Sequence, residues 1–282
     1  MKNQAEMPRR LGIIAGGGPL PAKVAAAARA AGRGVFIIGL EGFADPALLA
    51  PWPHEMRRLG AAARIIAALR ENGCQDLVMI GPVRRPSLLD LRPDAEGAKL
   101  LARIGRAAFA GDDGLLAAVI RVLTEEGFTV IGMQQILREA VAPAGVLSAA
   151  TPDAQAMADI NRGVQVARLL GSADVGQGCV VQQGLVLAVE AIEGTDAMLL
   201  RAGALRRDGI GGVLVKLVKP GQDKRADLPT IGPNTVRNAA AAGLRGVAFE
   251  AQATILADRE ACLDAANAAG LFLLGLDPET LS

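Results

Sequence analysis

The run from Lys219 to Gly232, Lys-Pro-Gly-Gln-Asp-Lys-Arg-Ala-Asp-Leu-Pro-Thr-Ile-Gly, gathers side chains that can do chemistry on an anion. Lys219, Lys224 and Arg225 stand beside Asp223 and Asp227, with the amide of Gln222 and the hydroxyl of Thr230. Two prolines and two glycines limit the shapes the loop can take. Cations of this kind hold phosphate oxygens, while a carboxylate ligates a divalent ion or orients a water. An ordinary solvated connection with surface charge is the competing reading.

Three other polar loops complete a candidate set. Glu193-Gly-Thr-Asp196 places two carboxylates and a hydroxyl at a strand-to-helix turn, although Thr195 or Asp196 there also reads as a helix N-cap. Gly16, Gly17 and Gly18 form a turn whose amides can cradle a phosphate. Gly81-Pro-Val-Arg-Arg85 offers a glycine and paired arginines for an anionic substrate, or plain surface charge. Asp112 and Asp113 read as a helix cap or as a divalent-ion pair. Residue types alone thus permit a phosphoryl-transfer site. Its catalytic groups are Asp227, Arg225 and Lys219. Gly16, Gly17, Gly18, Gly81, Arg85, Thr195, Gln222 and Thr230 bind substrate. Mg²⁺ (or Mn²⁺) is expected on Asp227, Asp196 and Glu193, since oxygen ligands suit those ions.

The elements that must position these loops alternate. Leu11–Ala15, Val35–Ile38, Asp76–Ile80 and Phe128–Ile131 are short apolar strands, separated by Ala-rich helices from Lys23, Ala61, Ala95 and Asp112. That order predicts a Rossmann-like, parallel, doubly wound N-terminal domain over residues 8–138. Residues 139–150 read as a linker, rich in Pro, Gly and small side chains. Thr151-Pro-Asp153 then starts a helix, with Thr151 as cap and a core stripe of Met157, Ile160, Val164, Ala167 and Leu170. Cys179–Val181 and Leu185–Val189 flank a Gln-Gln-Gly turn and read as a hairpin. The strand Gly212–Val218 leads into the opening loop. Further strand and helix signals run to Leu274, so residues 151–282 form an α/β catalytic domain with a mixed sheet.

Composition removes several classes. A hydrophobic content of 51% supports a real core, and a net charge of +1 with 2% aromatics argues against a nucleic-acid partner. Three scattered cysteines suit a reducing cytoplasm. The single histidine, His54, lies in a Pro-Trp-Pro-His loop, which disfavours His-rich zinc sites and Ser-His-Asp triads. No uncharged stretch is long enough to span a membrane. The glycine turn followed by Glu41 keeps a dinucleotide-dependent (NAD(P) or FAD) oxidoreductase as an alternative, although Pro21 stands where a third glycine is expected. A non-catalytic nucleotide-sugar-binding protein is a second alternative.

Taken in order, five runs carry a resemblance. They are Leu11-Gly-Ile-Ile-Ala-Gly-Gly-Gly-Pro-Leu-Pro21, Gly81-x-Val-x-Arg-Pro86, Gly111-Asp-Asp113, Glu190-x-x-Glu-Gly-Thr-Asp196 and Gln222-x-x-Arg-x-Asp-Leu-Pro-Thr-Ile-Gly232. The chain resembles the two-domain UDP-2,3-diacylglucosamine pyrophosphatases of lipid A synthesis, a type unrelated to the calcineurin-like enzymes. That resemblance implies metal-dependent hydrolysis of UDP-2,3-diacylglucosamine to UMP and 2,3-diacylglucosamine 1-phosphate (lipid X). It also implies two α/β domains closing on the substrate, and an essential aspartate at the position of Asp227. A lipid product motivates peripheral contact with the inner membrane from the cytoplasm. A homodimer is left open.

Overall fold

A computed structural model describes residues 9–84, 98, 99, 102, 103, 105, 112–277 and 280. The chain divides into two compact units. One comprises Met1–Arg138 together with Asp223–Asp227, the other Glu139–Gln222 with Leu228–Ser282. Five residues of the opening loop therefore group with the N-terminal unit, although both flanks belong to the C-terminal one. The expected helix from Ala95 lies outside the described residues, as do Arg85 and the side chains of Asp112 and Asp113.

In the N-terminal unit, runs of apolar residues buried on both faces make a parallel sheet. Strands β1 (Leu11–Ala15), β2 (Val35–Leu40), β3 (His54–Arg57), β4 (Asp76–Ile80) and β5 (Thr129–Val130) are ordered β3-β2-β1-β4-β5. All four pairings are parallel. Among the described residues its α-helices are α1 (Leu20–Ala30), α2 (Pro46–Leu49), α3 (Ala62–Glu71) and α4 (Asp112–Glu125). One core cluster joins Ile38, Ile65, Leu69, Leu77, Ile120 and Phe128. Two local expectations change. His54 is not in a loop but opens the edge strand, paired with Ile37. Helix α1 starts at Leu20 rather than Lys23, because Pro21 is tolerated in a first turn, where its missing N–H costs nothing.

The C-terminal unit holds a mixed sheet of six strands. These are β6 (Gly145–Val146), β7 (Gly178–Gln182), β8 (Leu185–Val189), β9 (Val213–Lys216), β11 (Gly246–Glu250) and β13 (Phe272–Leu276), in the order β6-β13-β11-β9-β7-β8. The β9-β11-β13 core is parallel, and β6, β7 and β8 add antiparallel edges. Two short strands, β10 (Thr230–Ile231) and β12 (Ile255–Leu256), pair parallel to each other. Helix α5 (Ala154–Ser172) packs on one face through Ile160, Val164 and Ala167. Helices α6 (Gly194–Ala204), α7 (Pro233–Ala241) and α8 (Arg259–Ala269) serve the other, around Met198, Leu199, Val236 and Cys262. Residues 139–146, within the stretch expected as a linker, supply the Val141–Ile255 bridge and strand β6.

Polar side chains finish this frame. Asp153, not Thr151, caps α5; its carboxylate accepts from the Ala156 amide at 2.8 Å and pairs with Arg245. The hairpin turn hangs from buried Asp159, which accepts from the amides of Gln183 and Gly184. Gln182, also fully buried, donates to the carbonyls of Arg207 and Ile210 and accepts from the Arg207 amide. One amide side chain thus closes the connection between α6 and β9.

Candidate active site

In the N-terminal unit the two glycine loops meet backbone to backbone at the carboxyl ends of β1 and β4. The Gly16 amide donates to the Ile80 carbonyl at 2.8 Å, and the Gly17 amide to that of Pro82 at 3.0 Å. A Cβ on Gly16 would lie 2.4 Å from the Gly81 carbonyl oxygen, and one on Gly81 2.4 Å from that of Gly17. Glycine is needed here so that two chains can touch. Both amides are occupied, so a phosphate cradle would have to draw on Gly18 and the start of α1, where Pro19 and Pro21 carry no N–H. Glu41, the ribose candidate of the dinucleotide alternative, is exposed in the turn after β2.

The segment Asp223–Asp227 is a tight turn: the Ala226 and Asp227 amides both donate to the Asp223 carbonyl. Its side chains make a fork. Arg225 donates from Nε at 2.9 Å and Nη2 at 2.6 Å to the two oxygens of Asp223, whose Oδ1 also accepts the Arg225 amide. That guanidinium holds the Asp223 carboxyl below its usual range, and Asp223 in turn raises Arg225. Gln134 Nε2 donates to the Lys224 carbonyl at 3.0 Å, and Ala226 packs on the apolar cluster of the N-terminal unit. Asp227 is half-buried at the end of this turn.

Within the C-terminal unit, the loop after β9 is fixed at its root. The Lys219 amide donates to Gln222 Oε1 at 3.0 Å, and Lys219 Nζ donates to Asp174 Oδ1 at 2.7 Å. Gln222, a candidate ligand group, is buried and shapes the loop. The Val218 amide donates to Glu250. Thr230 Oγ1 donates to the Leu228 carbonyl at 3.2 Å.

The start of α6 carries a buried polar network. Thr195 does not cap the helix; position 193 is the N-cap and makes no side-chain capping bond. Thr195 Oγ1 instead donates to Glu190 Oε1 at 2.7 Å, and accepts from Lys216 Nζ at 2.7 Å. Lys216 and Glu190 are 5% and 6% exposed, with their charges 3.9 Å apart. The expected site omitted both residues. A lysine inside the otherwise apolar Gly212–Val218 run was the available signal for the first; its place heading the Glu-x-x-Glu-Gly-Thr-Asp run was the signal for the second.

The three expected metal ligands are not assembled by either unit alone. Asp227 belongs to the N-terminal unit. Glu193 is paired with Arg201; its carboxyl sits below the usual range, chiefly through its own backbone amide and then through Arg201. Asp196 lines a cavity of about 430 Å³ between α6 and α7, with Leu200, Ala204 and Asn238. Among the described residues no group of three or more His, Cys, Asp or Glu side chains could hold an ion. Nor is any described helix long and apolar enough to cross a membrane.

Comparison with known proteins matches this two-part build. A model of the LpxI N-terminal domain covers residues 10–140, and one of the LpxI C-terminal domain covers residues 143–274. A protein of Caulobacter vibrioides named UDP-2,3-diacylglucosamine pyrophosphatase LpxI is 45% identical over 277 residues, spanning 96% of this chain and 99% of that one. Both domains are present in their family order along nearly the whole length, and the chain belongs to the LpxI family.

Proposed function

We propose that this chain hydrolyses the pyrophosphate bond of UDP-2,3-diacylglucosamine to UMP and 2,3-diacylglucosamine 1-phosphate, a step of lipid A synthesis. The observation that carries the reading is 45% identity, along 96% of the chain, to a protein named for that pyrophosphatase. In the reaction a water oxygen joins one phosphorus, and the bridging oxygen leaves with the other. Asp227, half-buried at the end of its turn, takes the water's proton on one carboxylate oxygen, which leaves the other for a metal ion. Arg225 and Lys219 are already paired with carboxylates, Asp223 and Asp174. Exchanging those carboxylates for phosphate oxygens keeps each cation satisfied while it orients the substrate. Mg²⁺ or Mn²⁺ belongs to the proposal. Such ions often bind through one or two carboxylates plus substrate phosphates rather than in an all-protein cage, and Asp227 is the donor best suited.

Incubation with UDP-2,3-diacylglucosamine and Mg²⁺ tests this by release of UMP. Asp227→Ala should retain binding and lose about 10²- to 10⁴-fold in rate. EDTA should abolish turnover and added Mg²⁺ or Mn²⁺ restore it; full activity in chelator removes the metal. The acyl chains of the substrate support a cytoplasmic enzyme in peripheral contact with the inner membrane. Sedimentation with membranes at low and high salt checks this, and full solubility in both overturns it.

A further inference from the structure

Both charged groups of the network at the start of α6 are short of hydrogen-bond partners among the described residues. Lys216 Nζ carries three N–H donors, and among the described residues one of them makes a hydrogen bond, to Thr195. Glu190 Oε2 is buried and accepts no hydrogen bond from a described residue. Buried ions are normally paired and fully hydrogen-bonded. The lysine–glutamate pair is held 3.9 Å apart, with a hydroxyl set between the charges. The fold also keeps room for the carboxylate: a Cβ on Gly178 would lie 2.7 Å from Glu190 Oε2. Lys216 ends β9 beside two neighbouring strands, parallel β11 and antiparallel β7, and the loop toward Asp227 begins just after it. Carboxyl ends of strands are where open α/β sheets receive ligands.

We infer that Lys216 binds an anionic phosphoryl oxygen of the substrate, and that Thr195 and Glu190 are positioning residues that aim its ammonium. Thr195 donates its hydroxyl hydrogen bond to Glu190, which turns a lone pair toward Lys216 and fixes the direction of the ammonium's remaining donors. Glu190 keeps the local charge balanced until the phosphoryl group arrives. The inference rests on the pyrophosphatase reading and names a substrate contact within it.

Steady-state kinetics of UMP release from UDP-2,3-diacylglucosamine, with thermal melts alongside, tests it. Lys216→Met should lower kcat/KM about 10- to 100-fold, the range for a lost hydrogen bond to a charged group. Thr195→Val should raise KM about 10-fold at an unchanged volume, and Thr195→Ser should restore wild-type KM to within about 2-fold. A merely structural network predicts lower melting temperatures with unchanged KM. Folded Thr195→Val with wild-type KM overturns the inference, as does a Thr195→Ser variant as impaired as Thr195→Val. Should Lys216→Met fail to fold, the Glu190→Gln/Lys216→Met double variant removes both charges; full activity there overturns the role of Lys216. A wild-type protein that releases no UMP fails the underlying reading instead.

Discussion

Two strand-to-helix turns of this chain, β1 to α1 and β8 to α6, carry motifs that read as ligand cradles, and they are built on opposite principles. At β1 to α1 the glycines are packed: the Gly16 and Gly17 amides are engaged, and the Gly81 loop lies against them with no room for a methyl group. At β8 to α6 the polar side chains turn inward, and a hydroxyl separates two buried charges. The first turn uses glycine to bring two stretches of chain together. The second places charge in a buried position at the cost of incomplete pairing among the described residues. Glycine in a loop is thus weaker evidence of a ligand than a lysine that has no structural reason to be buried.

The comparison breaks most visibly at Lys216. Lys216→Met leaves Glu190 buried without its cation, and such truncations cost about 3–5 kcal/mol. The Glu190→Gln/Lys216→Met double variant should recover most of that loss, because both charges then leave together. Urea unfolding of the four proteins in the cycle measures the coupling; additive losses would show that the two charges do not sense each other.

Gly16→Ala comes next, at about 1–3 kcal/mol, the usual cost of forcing volume into a packed contact. The obstacle is a backbone carbonyl 2.4 Å away, which cannot rotate aside. If the turn is packing alone, kcat/KM per folded molecule should hold. A large fall in kcat/KM at a modest stability cost would restore the phosphate-cradle reading of Gly16.

Much of this contrast was legible in the sequence and part was not. Short apolar runs between Ala-rich helices gave the parallel sheet, and the Gln-Gln-Gly turn between apolar runs gave the hairpin, because both follow from periodicity. The engagement of the Gly16 and Gly17 amides is hidden in the sequence, since their partners, Ile80 and Pro82, are more than 60 residues away. Thr195 reads as a cap because the residue type fits one; what redirects it is a lysine in the next element, β9. The pairing of β10 with β12 was missed because two-residue strands carry no period.

A smaller effect is expected at low pH in the Asp223–Arg225 fork. Asp223 has a folded-state pKa below its ordinary 3.8, held down by Arg225. Its contribution is therefore complete above 3.8 and is lost as pH falls through the lower folded value. At neutral pH the fork should be indifferent to pH. Asp223→Asn should mimic acid by freeing Arg225 and loosening the turn that carries Asp227. A shallower pH dependence of unfolding below about 4 in that variant than in wild type assigns the difference to this pair, and identical profiles remove it.

The least effect should come from thiol reagents. Cys74, Cys179 and Cys262 are all free and buried. Burial pushes the Cys74 thiol up to about 11 and the Cys179 thiol to about 12. Thiolates, not thiols, attack such reagents, so at pH 8 these two hold about one part in 10³ or less of the reactive form. Cys179 lies in β7 and faces α5, where it donates weakly to the Gly163 carbonyl. Iodoacetamide on the native protein should therefore label neither thiol over hours, and UMP release should stay unchanged. Cys74 and Cys179 sit in different units, so their labelling rates under mild urea report the two separately. If Glu190 and Lys216 leave the C-terminal sheet strained, Cys179 should become reactive at lower urea than Cys74. Simultaneous exposure of the two thiols would instead mean that the incompletely paired network costs its unit no stability that the packed glycine turn spares the other.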